Sequence, residues 1–233
     1  MREVSQNSRG DLLVQQILDK VSAEPGALAN DLLSEFWRGY PIDRLRPLLR
    51  HPDTEIVETG AFLADELPGL MGPLMDDVVP LMDHPSPDVR FLMLGAVLDN
   101  VVNDGEVIAR AMLLVHDPHS SVRWTALRFV LRADQEQLES AVPFLPEVSR
   151  TALEESGLLD RQEAAADDWA RVRSGLNSAD ELVRRWAAAA AARFEQQELL
   201  SEAVESPDPD VSTFADHELK MLIKHGPRGR TPR

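Results

Sequence analysis

Three prolines, Pro52, Pro85 and Pro118, stand 33 residues apart, and each opens the same short phrase. The phrases read His51-Pro52-Asp53-Thr54-Glu55-Ile56, His84-Pro85-Ser86-Pro87-Asp88-Val89-Arg90 and Asp117-Pro118-His119-Ser120-Ser121-Val122-Arg123. Each is a proline, a few polar turn residues and a β-branched residue four positions on. Weaker copies occur at Ser178-Ala179-Asp180-Glu181-Leu182-Val183-Arg184 and Ser206-Pro207-Asp208-Pro209-Asp210-Val211. A fixed period of this size is the mark of a repeat array and constrains the fold more than any total does. Proline ends a helix or occupies the first turn of the next, and Asp or Ser accepts the free N–H groups there, so each phrase predicts a turn between two helices.

The residues after each turn keep a helical period. Val89, Leu92, Met93, Ala96 and Val97 fall on one face, as do Val122, Thr125, Ala126, Phe129 and Val130, and Val183, Trp186, Ala187, Ala190 and Ala191. Before each turn a shorter apolar helix is expected, at Leu45 to Leu49, Leu74 to Met82 and Val107 to Val115. Small residues on these faces let neighbouring helices approach closely, as stacked pairs require. Composition agrees: aromatics are 5% with a single Tyr, while Leu, Ala, Val, Glu and Arg dominate, which favours helix over sandwich or barrel.

The Pro-polar-Asp turns followed by Val-Arg at 89–90, 122–123 and 183–184 resemble the HEAT-repeat family, over roughly Ile42 to Lys224. The resemblance implies an all-α fold, a right-handed α-solenoid of about six helix pairs. It also implies a polar ladder between repeats, for which Asp88, Arg90, Arg123, Arg184 and Asp210 are the matching residues. The expected layout is a single array over 1–233. An opening pair at 11–41, with Pro25-Gly26 as its turn, leads into regular repeats at 42–133. Less regular repeats follow at 134–224, with an extra or distorted helix between Asp134 and Leu176, and a disordered basic tail closes the chain at 225–233.

In such an array the second helices line the inner curve, and the side opposite their core stripe should be polar if only water touches it. Here that side carries Phe91, Leu94 and Leu98, then Trp124, Leu127 and Leu131 in identical register, with Phe62 in the preceding repeat. Glu58, Asp65, Glu66 and Asp99 border the set, and Arg128 and Arg132 lie on its other flank. An apolar patch rimmed by charge is how recognition surfaces are composed. The competing reading is core buried by strong curvature. Trp124 is the member expected at the surface, and Trp186 the tryptophan expected to pack.

The sequence offers little to a catalytic reading. It has no phosphate loop, dinucleotide fingerprint, nucleophile elbow or His-Glu-x-x-His, and no cysteine for a thiolate site. His51 and His84 occupy equal turn positions, but no third metal ligand accompanies them. No cofactor is expected. The HEAT-like alkylpurine DNA glycosylases are similar in length and use a concave face; their catalytic acid follows a cleft tryptophan by one helical turn. One turn after Trp37, Trp124, Trp169 and Trp186 stand Pro41, Arg128, Arg173 and Ala190, so no catalytic residue carries over. A net charge of −16 repels phosphate backbones and favours basic partners. Carboxylate clusters such as Asp76-Asp77 and Asp167-Asp168 read as solvated helix faces. With a polar N-terminus and no apolar stretch of membrane-spanning length, the expectation is a cytoplasmic, non-enzymatic protein-binding module, and most sharply an acidic inhibitor or immunity protein for a basic toxin or nuclease. A general assembly scaffold and a DNA glycosylase are the alternatives.

Overall fold

The computed structural model describes residues 8–21, 25–100, 104–160 and 169–227; every described element is helical. The elements fall into two compact units, Met1–Val101 and Val102–Arg233, taken in turn below. No helix among the described residues is long and apolar enough to cross a membrane.

Unit 1 begins with α1 (Arg9–Leu18) packed on α2 (Pro25–Trp37). Pro25-Gly26 forms the first turn of α2 rather than the connection, because proline is at home where helical N–H groups have no partner anyway. Gly10 is required in α1: the Tyr40 ring lies 2.6 Å from where a Cβ would stand, and Tyr40 donates its hydroxyl to Asp11 at 2.8 Å. The next two repeats place short, broken first helices before long second ones. Ile42–Leu45 is a 3-10 turn leading into α3 (Arg46–Leu49), and α4 spans Thr54–Asp65. The following repeat runs as 3-10 Gly72–Leu74, α5 (Met75–Val78), 3-10 Val79–Asp83 and then α6 (Pro87–Asn100). The expected helix from Leu45 to Leu49 is present as α3, one residue shorter, whereas Pro73 and Pro80 remove donors, which is why the stretch from Leu74 to Met82 tightens into 3-10 pieces around α5.

Unit 2 starts with α7 (Gly105–Leu113), which lacks proline and runs unbroken into the 3-10 turn Leu114–His116, and α8 (Ser120–Arg132). The irregular stretch contributes α9 (Gln135–Ala141), α10 (Glu147–Glu155) and α11 (Ala170–Leu176); α9 packs on α7 and is the additional helix. Asp167-Asp168 lie outside the described residues. The last elements are α12 (Glu181–Arg193), α13 (Gln197–Val204) and α14 (Pro209–His225). α14 continues through His225, where the tail was expected to begin, and Gly226 ends it with a φ of +71°. The remainder of the expected tail, from residue 228, lies outside the described residues.

α12 is the hub of unit 2, touching α8, α10, α11, α13 and α14. Ala187 to Ala192 and Trp186 are all buried, so Trp186 packs as expected. A helix sheathed only in methyl groups lets its neighbours come close on every side.

One local design closes all five turns. The first residue of each phrase accepts a hydrogen bond from the N–H two positions on: His51 from Asp53, His84 from Ser86, Asp117 from His119, Ser178 from Asp180 and Ser206 from Asp208. In the three phrases with Val-Arg, the arginine folds back onto its own turn. Arg90 donates to the carbonyls of His84 and Pro85, Arg123 to those of Asp117 and Pro118, and Arg184 to those of Ser178 and Ala179, all at 2.7–3.0 Å. These carbonyls end the first helices and would otherwise want partners.

Candidate interaction surface

In unit 1, α4 and α6 pack side by side, and two contacts fix their register. Ser86 donates its hydroxyl to Glu58 at 2.8 Å, and the Asp65 carboxylate presses onto α6 at Gly95, where a Cβ would lie 2.1 Å from Asp65 Oδ1. Glu58, Phe62 and Asp65 follow one another on a single stripe of α4, as do Phe91, Gly95, Leu98 and Asp99 on α6, so the two contacts join these stripes into one face. Phe91 is 37% exposed, and Phe62, Leu98, Glu58 and Asp65 are half-buried. Glu66 and Asp99 lie at the surface.

Asp65 is the unusual group on this face. Among the described residues nothing donates to it or pairs with it. Burial first, and then the neighbouring carboxylates of Glu66 and Asp99, push its pKa up to about 6. Leu94, expected with this set, is a correction: it is fully buried, because α6 is apolar around much of its circumference and is packed by α4 and by Val79–Asp83.

The equivalent positions in unit 2 are closed over. Trp124, expected at the surface, meets the Phe214 and His217 rings edge-on at 5.6 and 5.2 Å. Leu127 is fully buried and Leu131 is 6% exposed, so both belong to the core; Arg128 remains exposed. The cover is α14, which reaches α8 past the thin, alanine-lined α12. A polar clamp holds it there. Asp210 accepts from Arg123 Nε at 2.6 Å and Nη2 at 3.1 Å, and from buried Arg185 at 2.7 Å. Arg185 also donates to the Val115 carbonyl and pairs with Glu181.

Of the ladder residues implied by the family resemblance, Arg123 and Asp210 join two repeats directly, and Arg184 reaches Asp208 of the next phrase at 3.8 Å. Arg90 and Arg184 also donate to the carbonyls of their own turns, and Asp88 is exposed without an arginine partner among the described residues. Asp77, read from sequence as a solvated carboxylate, is buried and held by Arg46 and Arg50.

Among the described residues, Glu181, Asp208 and Asp210 bring carboxylate oxygens within 4.8 Å of one another. Arg123, Arg184 and Arg185 interleave with them, so guanidinium groups already balance the charge that a cation would meet. His51 and His84 spend Nδ1 within their turns, and burial holds the His84 imidazole below its ordinary pKa.

No family model matches this chain, and no curated protein matches it. Solved structures do. A designed armadillo repeat protein in complex with the peptide (KR)4 is similar at a TM-score of 0.52 and 14% identity, over 91% of this chain and 99% of that one. An engineered protein is similar at 0.52 and 16% identity, over 93% and 99% of the two chains. A further designed armadillo repeat protein aligns at 0.50 and 16% identity, over 91% and 98%. With its all-helical elements and turns of one repeated design, the chain has the fold of these proteins: an all-α helical-repeat solenoid.

Proposed function

We propose that this chain is a HEAT-like protein-binding module, acting in the cytoplasm as a single array, whose α4/α6 face engages a basic partner. The observation that carries the reading is Asp65: a half-buried carboxylate with like charges beside it, no counter-charge among the described residues, and an exposed aromatic ring on the same face. An arrangement that is electrostatically unfavourable in the free protein becomes favourable when a cation is supplied from outside. The net charge of −16 adds long-range attraction and speeds encounter with such a partner. Within this class, the sharper reading is an inhibitor or immunity protein that neutralises a basic toxin or nuclease by covering its phosphate-binding cleft.

The peptide (KR)4, held by one of the designed proteins of this fold, is a direct probe. Calorimetric titration is expected to show binding that weakens steeply with added salt, and none to a glutamate peptide of equal length. Equal affinity for both peptides, or none for either, overturns the basic-partner reading. For the inhibitor reading, co-expression is expected to restore growth of cells carrying a toxic basic nuclease encoded beside this chain; unchanged toxicity removes that reading and leaves the general binding module.

A further inference from the structure

The α4/α6 face carries two kinds of group that different cations use differently. A lysine ammonium is a compact, strongly hydrated charge and is satisfied by any carboxylate. A guanidinium is flat, sheds water more readily, stacks on aromatic rings and presents a fork of N–H donors that matches a carboxylate. Phe91 and Gly95 are one helical turn apart, about 6 Å along the axis, and Asp65 sits on Gly95. Because residue 95 has no side chain, that position places nothing between the ring and the carboxylate.

We infer that this face takes an arginine side chain of the partner, its guanidinium stacked on the Phe91 ring and its N–H groups donating to Asp65. The inference rests on the protein-binding reading and names the group recognised. The adjacent Arg90 is turned back onto the carbonyls of His84 and Pro85. Glu66 and Asp99 add negative potential at the rim, and half-buried Phe62 and Leu98 offer apolar surface to the methylene stem of the incoming side chain. Lysine gains the rim potential but neither the stack nor the fork.

The test compares labelled arginine, lysine and glutamate peptides of equal length on the full chain by fluorescence anisotropy. The variants are Asp65→Asn, Phe91→Leu and, as a control for net charge, Glu205→Gln on the exposed end of α13 in unit 2. Arginine is expected to bind about fivefold tighter than lysine. Asp65→Asn should weaken arginine binding about tenfold and abolish the preference, Phe91→Leu should weaken it roughly threefold, and Glu205→Gln should change it less than about twofold. Asp65→Asn removes an unfavourable charge and Phe91 is exposed, so both variants should fold; circular dichroism checks this. If arginine and lysine bind alike and Asp65→Asn behaves as Glu205→Gln does, recognition is diffuse charge: the arginine inference falls while the basic-partner reading stands. If no cationic peptide binds, the functional reading itself fails and takes the inference with it.

Discussion

Phe91 and Trp124 occupy the same position in successive repeats, yet they meet different surroundings. In unit 1 the aromatic side chain remains open beside Asp65, which has no counter-charge among the described residues. In unit 2 it is roofed by Phe214 and His217, and the charges around it are matched, with Asp210 shared between Arg123 and Arg185. The difference does not originate in the helices that carry the two rings. It comes from α12, whose alanine sheath allows the following long helix to close over α8, whereas α4 and α6 have no such cover within unit 1. Similar stripes thus become a surface in one place and an interior in the other, according to what packs next.

The contrast is breakable by experiment. Phe214→Ala should have the largest effect, a loss of about 3–5 kcal/mol from a fully buried aromatic. Urea unfolding measures it, and a red shift in tryptophan emission should accompany it as Trp124 is uncovered; a loss under about 1 kcal/mol would mean that α14 does not hold the roof. Asp210→Asn should cost roughly 2–3 kcal/mol by leaving Arg185, buried, and Arg123 short of an anion. A thermal melt unchanged from wild type would show that the clamp is not structural.

Asp65→Asn should act in the opposite direction. The folded pKa of about 6 exceeds the ordinary carboxylate value, so the native state binds the proton more tightly than the unfolded chain does. The contribution of Asp65 to stability is therefore fully present below about pH 4 and is lost as pH rises through about 6. Discounted for partial exposure, Asp65→Asn should stabilise by about 1 kcal/mol at pH 7.5 and by almost nothing at pH 4. Equal denaturant midpoints for the two proteins at both pH values would contradict a strained carboxylate. The smallest effect is expected from Phe91→Ala, within about 0.5 kcal/mol of wild type in the same unfolding assay, as suits a surface ring. A core-sized loss there would erase the distinction between the units.

The turns were legible in the sequence because everything that makes them is local: a side chain reaching two residues on, a proline, an arginine six positions later. The long second helices were legible for the same reason, their period being written in consecutive residues. The helix break at Pro80 follows from an equally local rule, although the apolar run from Leu74 to Met82 suggested one continuous helix. What could not be read was cover. Trp124 is half-buried against Phe214 and His217 of α14, some 90 residues away along the chain, and no pattern around Trp124 encodes that. The signal that did exist was the alanine run from Ala187, whose lack of bulk is what allows the approach. Asp77 looked solvated for a similar reason: Arg46 and Arg50, its partners, lie a whole repeat earlier. At the candidate face the residue types were legible, but the contact of Asp65 with Gly95 depends on the register between two helices.

The three Val-Arg turns satisfy their end carbonyls with their own arginine. Such a hinge is a portable joint. Evolution, or an engineer, can splice a 33-residue cassette in or out at Pro85 or Pro118 with the joint itself intact, re-matching only the contacts between neighbouring helices such as Ser86 with Glu58, so the number of docking positions on a chain of this kind becomes a matter of copy number rather than of new chemistry.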